Sequence, residues 1–596
     1  MKTVCVTLVF FSLAAHLTLQ GSDSHPRILF PQPEEATVKK RIQSDPLAGA
    51  LYKELLRRAD HALRRPVCRY HIPDGKRLLT QSRYALNTIL HTSMAWRLSG
   101  EKKYLDRAIL ELDAASGLKD WNTRHFLDTA EMSTAVAIGY DWLYHALSAE
   151  QRLRYATALR VKGLEPARSG FTDRTKAWWA HPNNNWAQVC ATGLLFAERA
   201  LEKPGDAIHP GRIKACQSLT ACRTFYLPSG AYPEGPSYWH YGSNYHVLGL
   251  AVVRGERGDR PELNIPTPAE FKASPLFTEH LTGPSGMVFN FADAWASTSS
   301  ISAAQSWMAS AFNDPATCGF IRAKLAKDIT HQTKYSTTGP DRFFPLHLLW
   351  LPQAPEKAAP PLPLDSAWQG SQPLATFRSS WEDPDALFVA VKGGYPGASH
   401  GQMDVGSFVV DSGGIRWAED LGSDNYNMPG YFGSKRWSYF RLTNLGHNTL
   451  VIGGKLQNAK AKTCPMTNFT SSADEGSATF DLSPVYQKQA DKMVRHCRLD
   501  RKNHLITLTD SITSPRGSVR WAMLTRASIE IKGSVVILKR SGKQLTVTRN
   551  DHHGGQWEIL EAKPPSSTEN QNKGVRILAF TAPAADKLEL SVSFGQ

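Results

Sequence analysis

The stretch "HGQMDVGSF", residues 400–408, places a histidine, an amide and an acid at every second position. In an extended chain His400, Gln402 and Asp404 share one face, and Gly401, Met403 and Val405 share the other. The spacing predicts a strand with one wholly polar face, a row of donors and acceptors that needs something polar opposite. Two further stretches are as dense in chemistry. In "WWAHPNNNWAQVC", Trp178, Trp179, His181, Asn183, Asn184, Asn185 and Trp186 precede an apolar helix that the pattern starts near Ala187. Amides bind hydroxyls and carboxylates, and indole faces stack on sugar rings. The plainer reading is a loop whose asparagine caps the helix. In "GAYPEGPSYWHYGSNYHVLGL", Tyr232, Glu234, Tyr238, His240, Tyr241, Tyr245 and His246 crowd together after turn residues. A tyrosine hydroxyl can move protons where its neighbours shift its pKa. The plainer reading here is an aromatic helix start packed on its neighbours. Beyond the histidine stretch, Asp420, Tyr431, Arg436, Tyr439 and His447 extend the polar set.

The elements that must position these residues change character near residue 355. Before it, helical periods dominate: in "EKKYLDRAILELDAAS", Leu105, Ala108, Ile109 and Leu112 recur at the spacing of one helix face. Ser148 and Gln151 have the spacing of a capping box, and "LDTAEMSTAVAIGYDWLYHAL" reads as a long apolar helix ending before them. Residues 351–368 are a Pro-rich break without apolar period. After it the period becomes two, in "ALFVAVKGG", "GSFVVDSGGIRWAED", "NTLVIGG", "HLITLTDSI", "KQLTVTRND", "GVRILAFTA" and "KLELSVSF". A chain of 596 residues is too long for one ordinary domain. The expected division is a leader over 1–22, a helical domain over 23–350, a linker over 351–368 and a stacked antiparallel sheet domain over 369–596.

The first residues carry Lys2, an apolar run from Val4 to about Leu19, and then small and polar residues, the layout of a secretory signal peptide. The expected product is a secreted or periplasmic protein with no stable membrane span once the leader is removed. Seven cysteines follow the leader, an odd and scattered number that predicts mostly buried thiols with one bridge at most. The net charge of +15 favours an anionic partner, and outside the cell that points to an acidic polysaccharide or a membrane surface. The charges are spread without a basic run, which argues against nucleic acid.

The ordered set N-N-W, E-G-P-S-Y, H-G-Q-M-D-V-G-S-F, W-A-E-D-L-G and H-N-T-L, with "HPRILF" at 25–30, resembles the heparinase II/III-like polysaccharide lyases. That resemblance implies an (α/α) toroid followed by an antiparallel β-sandwich, with the active site in the cleft between them. It implies cleavage of a uronic acid polymer, glycosaminoglycan or alginate-like, by β-elimination. By motif position, Asn185 resembles the amide that binds the uronate carboxylate, with Asn184 as helper. Tyr238 resembles the tyrosine that protonates the leaving O4, with Tyr241 in reserve. His400 resembles the cleft histidine, a base or a carboxylate holder. Glu234 orients a partner or, the favoured reading, caps the helix. Trp179, Trp186, His240, Arg83, Arg436 and Tyr439 are candidate substrate-binding residues. Several members hold a structural zinc through a second histidine, an aspartate and the H-N-T-L histidine; those positions here are Gln402, Asp420 and His447. A neutral amide is a feeble zinc ligand. The expectation is that no cofactor is required, and that any zinc is weakened, lost or replaced by hydrogen bonds from Gln402 to the same two residues. Trp186 also stands where many relatives have histidine.

Three other readings stay open on the residues alone. The same carbanion reprotonated from the opposite face gives a uronyl C5-epimerase. Asp128 and Glu131, three apart in "LDTAEM", are the carboxylate pair a glycoside hydrolase would need. A non-catalytic polysaccharide-binding protein needs no reacting groups at all.

Overall fold

The computed structural model describes residues 24–595, apart from 174, 176, 204, 255–259, 298–299, 332–336 and 338. The stretch read as a signal peptide lies outside the described residues. Helices run from Glu34–Ser44 to His347–Trp350. The helix Phe126–Trp142 is buried on all sides along its whole length, as the innermost element of a layered helical domain must be. Leu79–Ser99 and Asn185–Leu201 flank it, and Pro236–Arg254 packs on the latter. Gly193 allows this close approach: a Cβ there would sit 2.8 Å from the Ala130 backbone. An outer layer carries the amphipathic pattern. In Lys102–Gly117, Ala108 and Leu112 are buried and Leu105 and Ile109 half-buried, joined by Tyr104 and Arg107. The Ser148–Gln151 capping box closes in both directions, at 3.1 and 2.9 Å. Paired inner and outer helices of this kind make the (α/α) toroid.

The strands form three antiparallel sheets. A five-stranded sheet takes Ser366–Trp368, Leu374–Arg378, Phe388–Lys392, Phe408–Ser412 and Ile415–Ala418 in chain order. An eight-stranded sheet and a four-stranded sheet stack on it through one core that includes Phe408, Leu508, Val592, Trp521 and Phe580. Each run of period two named above contains a strand, and Ser366–Trp368 is already strand within the stretch read as linker. The five-stranded sheet is apolar on both faces. Ala375, Phe377, Val389, Val391 and Val410 enter the sandwich core, whereas Leu374, Phe388, Ala390 and Val409 enter the core of the helical domain. Arg378 reinforces that junction by donating to the carbonyls of His280 and Thr282 at 2.9 and 3.1 Å. The two domains therefore share buried surface, which fixes the cleft beside it.

One expectation changes. The strand predicted for 400–408 begins only at Phe408; the residues before it form a loop of turns, and His400 has a positive φ of 58°. Period two on a loop does not give a shared face, so Asp404 turns away to pair with the buried Lys392 at 2.6 Å. The seven cysteines after the leader are all buried free thiols, with no bridge among the described residues.

Candidate active site

A cleft of about 1200 Å³ opens between the two domains. The helical domain contributes Arg83, His125, Asn185, Trp186, Tyr238 and Tyr241, and the sheet domain contributes His400, Asp424, Tyr426 and Phe432. Sequence neighbours divide their labour at its rim. Asn184 is the N-cap of Asn185–Leu201, its side chain accepting from the Trp186 N–H at 2.9 Å, so the capping reading holds for this asparagine. Asn185 instead donates its backbone N–H and its side-chain Nδ2 to the Glu234 carboxylate, at 2.9 and 2.5 Å. Glu234 thus orients the amide of a neighbouring helix rather than capping the one that follows it. Burial pushes the Glu234 carboxyl up, against the opposing effects of His400 and Asn185.

Tyr238 and His400 meet across the domain boundary. Their rings stack with centroids 3.8 Å apart and planes 17° from parallel. The Tyr238 hydroxyl shares a 2.7 Å hydrogen bond with that of Tyr426. Burial and the charge of Asp293 push the Tyr238 hydroxyl well above the ordinary tyrosine range, so it stays protonated at neutral pH.

Asp293 organises the histidine. It accepts from His400 Nδ1 at 3.0 Å, Gln402 Nε2 at 2.8 Å, Tyr431 Oη at 3.0 Å and Arg436 Nη2 at 3.1 Å. Burial raises its carboxyl, but the hydrogen bond from His400 and the charge of Arg436 outweigh this and hold it below the usual range. An ionised carboxylate only accepts, so in the neutral imidazole the proton sits on His400 Nδ1 and the lone pair on Nε2, 3.9 Å from Glu234. No motif marks Asp293; an acid set among Phe289, Phe291 and Trp295 was the available signal.

Several candidates lie elsewhere. Trp179 is buried against Phe126 at 3.8 Å, and its neighbour Trp178 lines the cleft in its place, 4.5 Å from Trp186. Adjacent side chains diverge, so one of the pair faces the core. Arg436 is buried, donating to the His400 and Gly401 carbonyls as well as to Asp293; it holds the histidine loop rather than substrate. Tyr439 is buried with its hydroxyl on the Pro429 carbonyl. His240 borders the cleft, but burial drives it down to about 3, so it is neutral. Tyr241 donates to Glu131 at 3.0 Å, and Arg83 lies over its ring. Asp128 is taken up by Leu78 N–H, Asn122 and His125, and Glu131 by arginines, which leaves neither as a free hydrolytic acid.

The zinc positions do not fit the metal. His447 Nδ1 and Asp420 Oδ2 are hydrogen-bonded to each other at 3.0 Å. Gln402 spends its amide nitrogen on Asp293 and the Gly422 carbonyl, so of the outcomes named above the replacement of zinc by hydrogen bonds from Gln402 to Asp420 and His447 is not formed. Its oxygen, like His447 Nε2, has no protein partner among the described residues. Among the described residues no three His, Cys, Asp or Glu side chains gather at one point. One carboxylate, one imidazole and one neutral amide are a poor zinc set.

Residues 372–591 match the family described as Heparinase II/III-like, C-terminal, and this part of the chain is similar to that domain. The fold extends beyond it. Over 94% of this chain and 87% of the other, the structure superposes on a mutant of the heparan sulfate lyase HepC from Pedobacter heparinus, with TM-score 0.59 and 14% identity. A heparinase III structure matches over 91% and 84%, with TM-score 0.60 and 13% identity. The toroid-plus-sandwich architecture is therefore that of the heparinase III structures. No curated protein matches the sequence. Among the described residues, no helix is long and apolar enough to cross a membrane.

Proposed function

We propose that the protein is an exported polysaccharide lyase that cleaves a uronate-containing anionic polymer by β-elimination. The observation that carries this is the convergence of Asn185, Tyr238 and His400 at one point of the interdomain cleft, in a chain whose fold is shared with heparan sulfate lyases. Loss of the C5 proton leaves charge beside a carboxylate, so that carboxylate must first be hydrogen-bonded. Glu234 fixes the orientation of the Asn185 amide at the cleft wall, where it would meet the substrate carboxylate. His400 Nε2 takes the C5 proton, and Tyr238 gives its hydroxyl proton to O4 as the C4–O4 bond breaks and C4=C5 forms. Asp293 stabilises the imidazolium that results. Export rests on the leader-like N-terminus.

The stacking sets the stereochemistry. Rings 3.8 Å apart admit no sugar between them, so base and acid act on the same face of the pyranose. Syn elimination suits glucuronate and mannuronate, in which H5 and O4 are cis, and disfavours their C5 epimers. An epimerase needs a donor on the opposite face, and neither Tyr238 nor His400 reaches it. The test is ultraviolet absorbance of the unsaturated uronate on a panel of purified uronate polymers, beside Tyr238→Phe. The reading expects absorbance to rise on a glucuronate or mannuronate polymer and not with the variant. A rise undiminished in the variant, or none on any polymer, overturns it.

A further inference from the structure

One turn along the helix from Tyr238, a second polar cluster is built into the same cleft wall. Its centre is Glu131, fully buried on Phe126–Trp142. Glu131 accepts from Arg342 at 2.9 and 3.1 Å, from Arg83 Nε at 2.9 Å and from the Tyr241 hydroxyl at 3.0 Å. Burial alone would raise its carboxyl, but the charges of Arg342 and Arg83 outweigh burial and keep it ionised. Two guanidiniums therefore share one carboxylate, and the cluster keeps one positive charge. The two arginines are not equivalent. The Arg342 side chain is 3% exposed, whereas that of Arg83 is 24% exposed and borders the cleft. The Arg83 guanidinium lies 4.6 Å from the Tyr241 ring centroid, so its plane is held from below by the ring and at Nε by Glu131. Such a fixed guanidinium, partly exposed at the cleft wall, suits an anion.

The position matters for what it reads. Tyr241 stands one helical turn from Tyr238 on the same helix, and Arg83 lies over its ring, so the cluster lines the cleft beside the elimination centre, where a neighbouring sugar of the polymer would run. We propose that Arg83, positioned by Glu131 and Tyr241, binds the acidic group of the sugar adjacent to the uronate being cleaved, and so selects polymers charged at that neighbour. The group is a carboxylate in a polyuronate and a sulfate in a sulfated aminosugar polymer. Arg83 and Arg342 are then specificity and positioning residues rather than members of the proton relay. This inference rests on the lyase reading above.

The experiment compares elimination kinetics on pairs of polymers that differ in the neighbour's charge: a polyuronate with its partly carboxyl-reduced form, and a sulfated glycosaminoglycan with its desulfated form. The wild-type protein is expected to prefer the charged member of a pair, with the difference in KM. Arg83→Gln should raise KM on that polymer about tenfold, the worth of one charge-assisted hydrogen bond, and abolish the preference. Arg83→Lys should restore part of it. Glu131→Gln should weaken the preference as well, and circular dichroism of each variant separates this from misfolding. Which pair responds tells carboxylate from sulfate. If Arg83→Gln is folded and active but keeps the wild-type preference, or if wild type shows none in either pair, the inference falls while the lyase reading stands. If wild type eliminates no polymer, the lyase reading itself fails.

Discussion

Replacing Asp293 with asparagine changes one atom and tests how the histidine is set. The carboxylate takes four hydrogen bonds, one of them from the buried Arg436. Breaking a buried ion pair costs about 3–5 kcal/mol, and the lower end applies because Arg436 keeps the His400, Gly401 and Tyr431 carbonyls. The effect on turnover has a different origin. Asparagine can present its amide N–H to Nδ1, which moves the imidazole proton to Nε2 and removes the lone pair that faces the cleft. Loss of a positioned base lowers kcat by about 10²–10⁴-fold, or roughly 3–5 kcal/mol of barrier. The assay is initial-rate absorbance well below the variant's unfolding midpoint, with KM measured alongside. Tyr431→Phe serves as the comparison, since it removes another donor to Asp293 without changing the tautomer and should cost far less in kcat. An Asp293→Asn enzyme that is folded and turns over like wild type would refute the tautomer argument.

The remaining predictions concern packing, pH and metal. Gly193→Val should destabilise the fold by about 1–3 kcal/mol, because its side chain enters the Ala130 backbone; chemical denaturation reads this as a lower midpoint. Asp293 and Glu131 are both held below the ordinary carboxylate range, so the unfolded chain binds more protons as pH falls through about 4. Their contribution is present above that pH and is lost on acidification, and a melting temperature that stays flat between neutral pH and pH 3 would contradict it. Exhaustive chelation should leave melting temperature and activity unchanged, with less than stoichiometric zinc by elemental analysis; a large drop in melting temperature on chelation would show that Asp420, His447 and Gln402 do hold a metal.

The sequence displayed the architecture because burial leaves a period. The helical half and the strands of the sandwich appear where the apolar spacing changes from 3.6 to two. Asn185, Tyr238 and His400 were legible because they sit in compact motifs. Asp293 was not, since it reaches His400 from 107 positions away and belongs to no repeated pattern. Tyr426 likewise arrives on a loop, 188 positions from its partner. The polar alternation at 400–404 misled for a physical reason: a loop with positive φ at His400 breaks the two-residue period, so spacing no longer reports direction. Arg436 read as a candidate substrate-binding residue, and its role as the support of the histidine loop depends on carbonyls that sequence does not place.

The most direct measurement of the central claim is product analysis after digestion in heavy-oxygen water. Elimination forms C4=C5 without adding water, so the account predicts that products reduced with borohydride at once, to stop oxygen exchange at the anomeric carbon, carry an unsaturated uronate, lack heavy oxygen and are absent with Tyr238→Phe. Products that gain one heavy oxygen at the cleaved end, with no double bond, would contradict it and mark the cleft as hydrolytic.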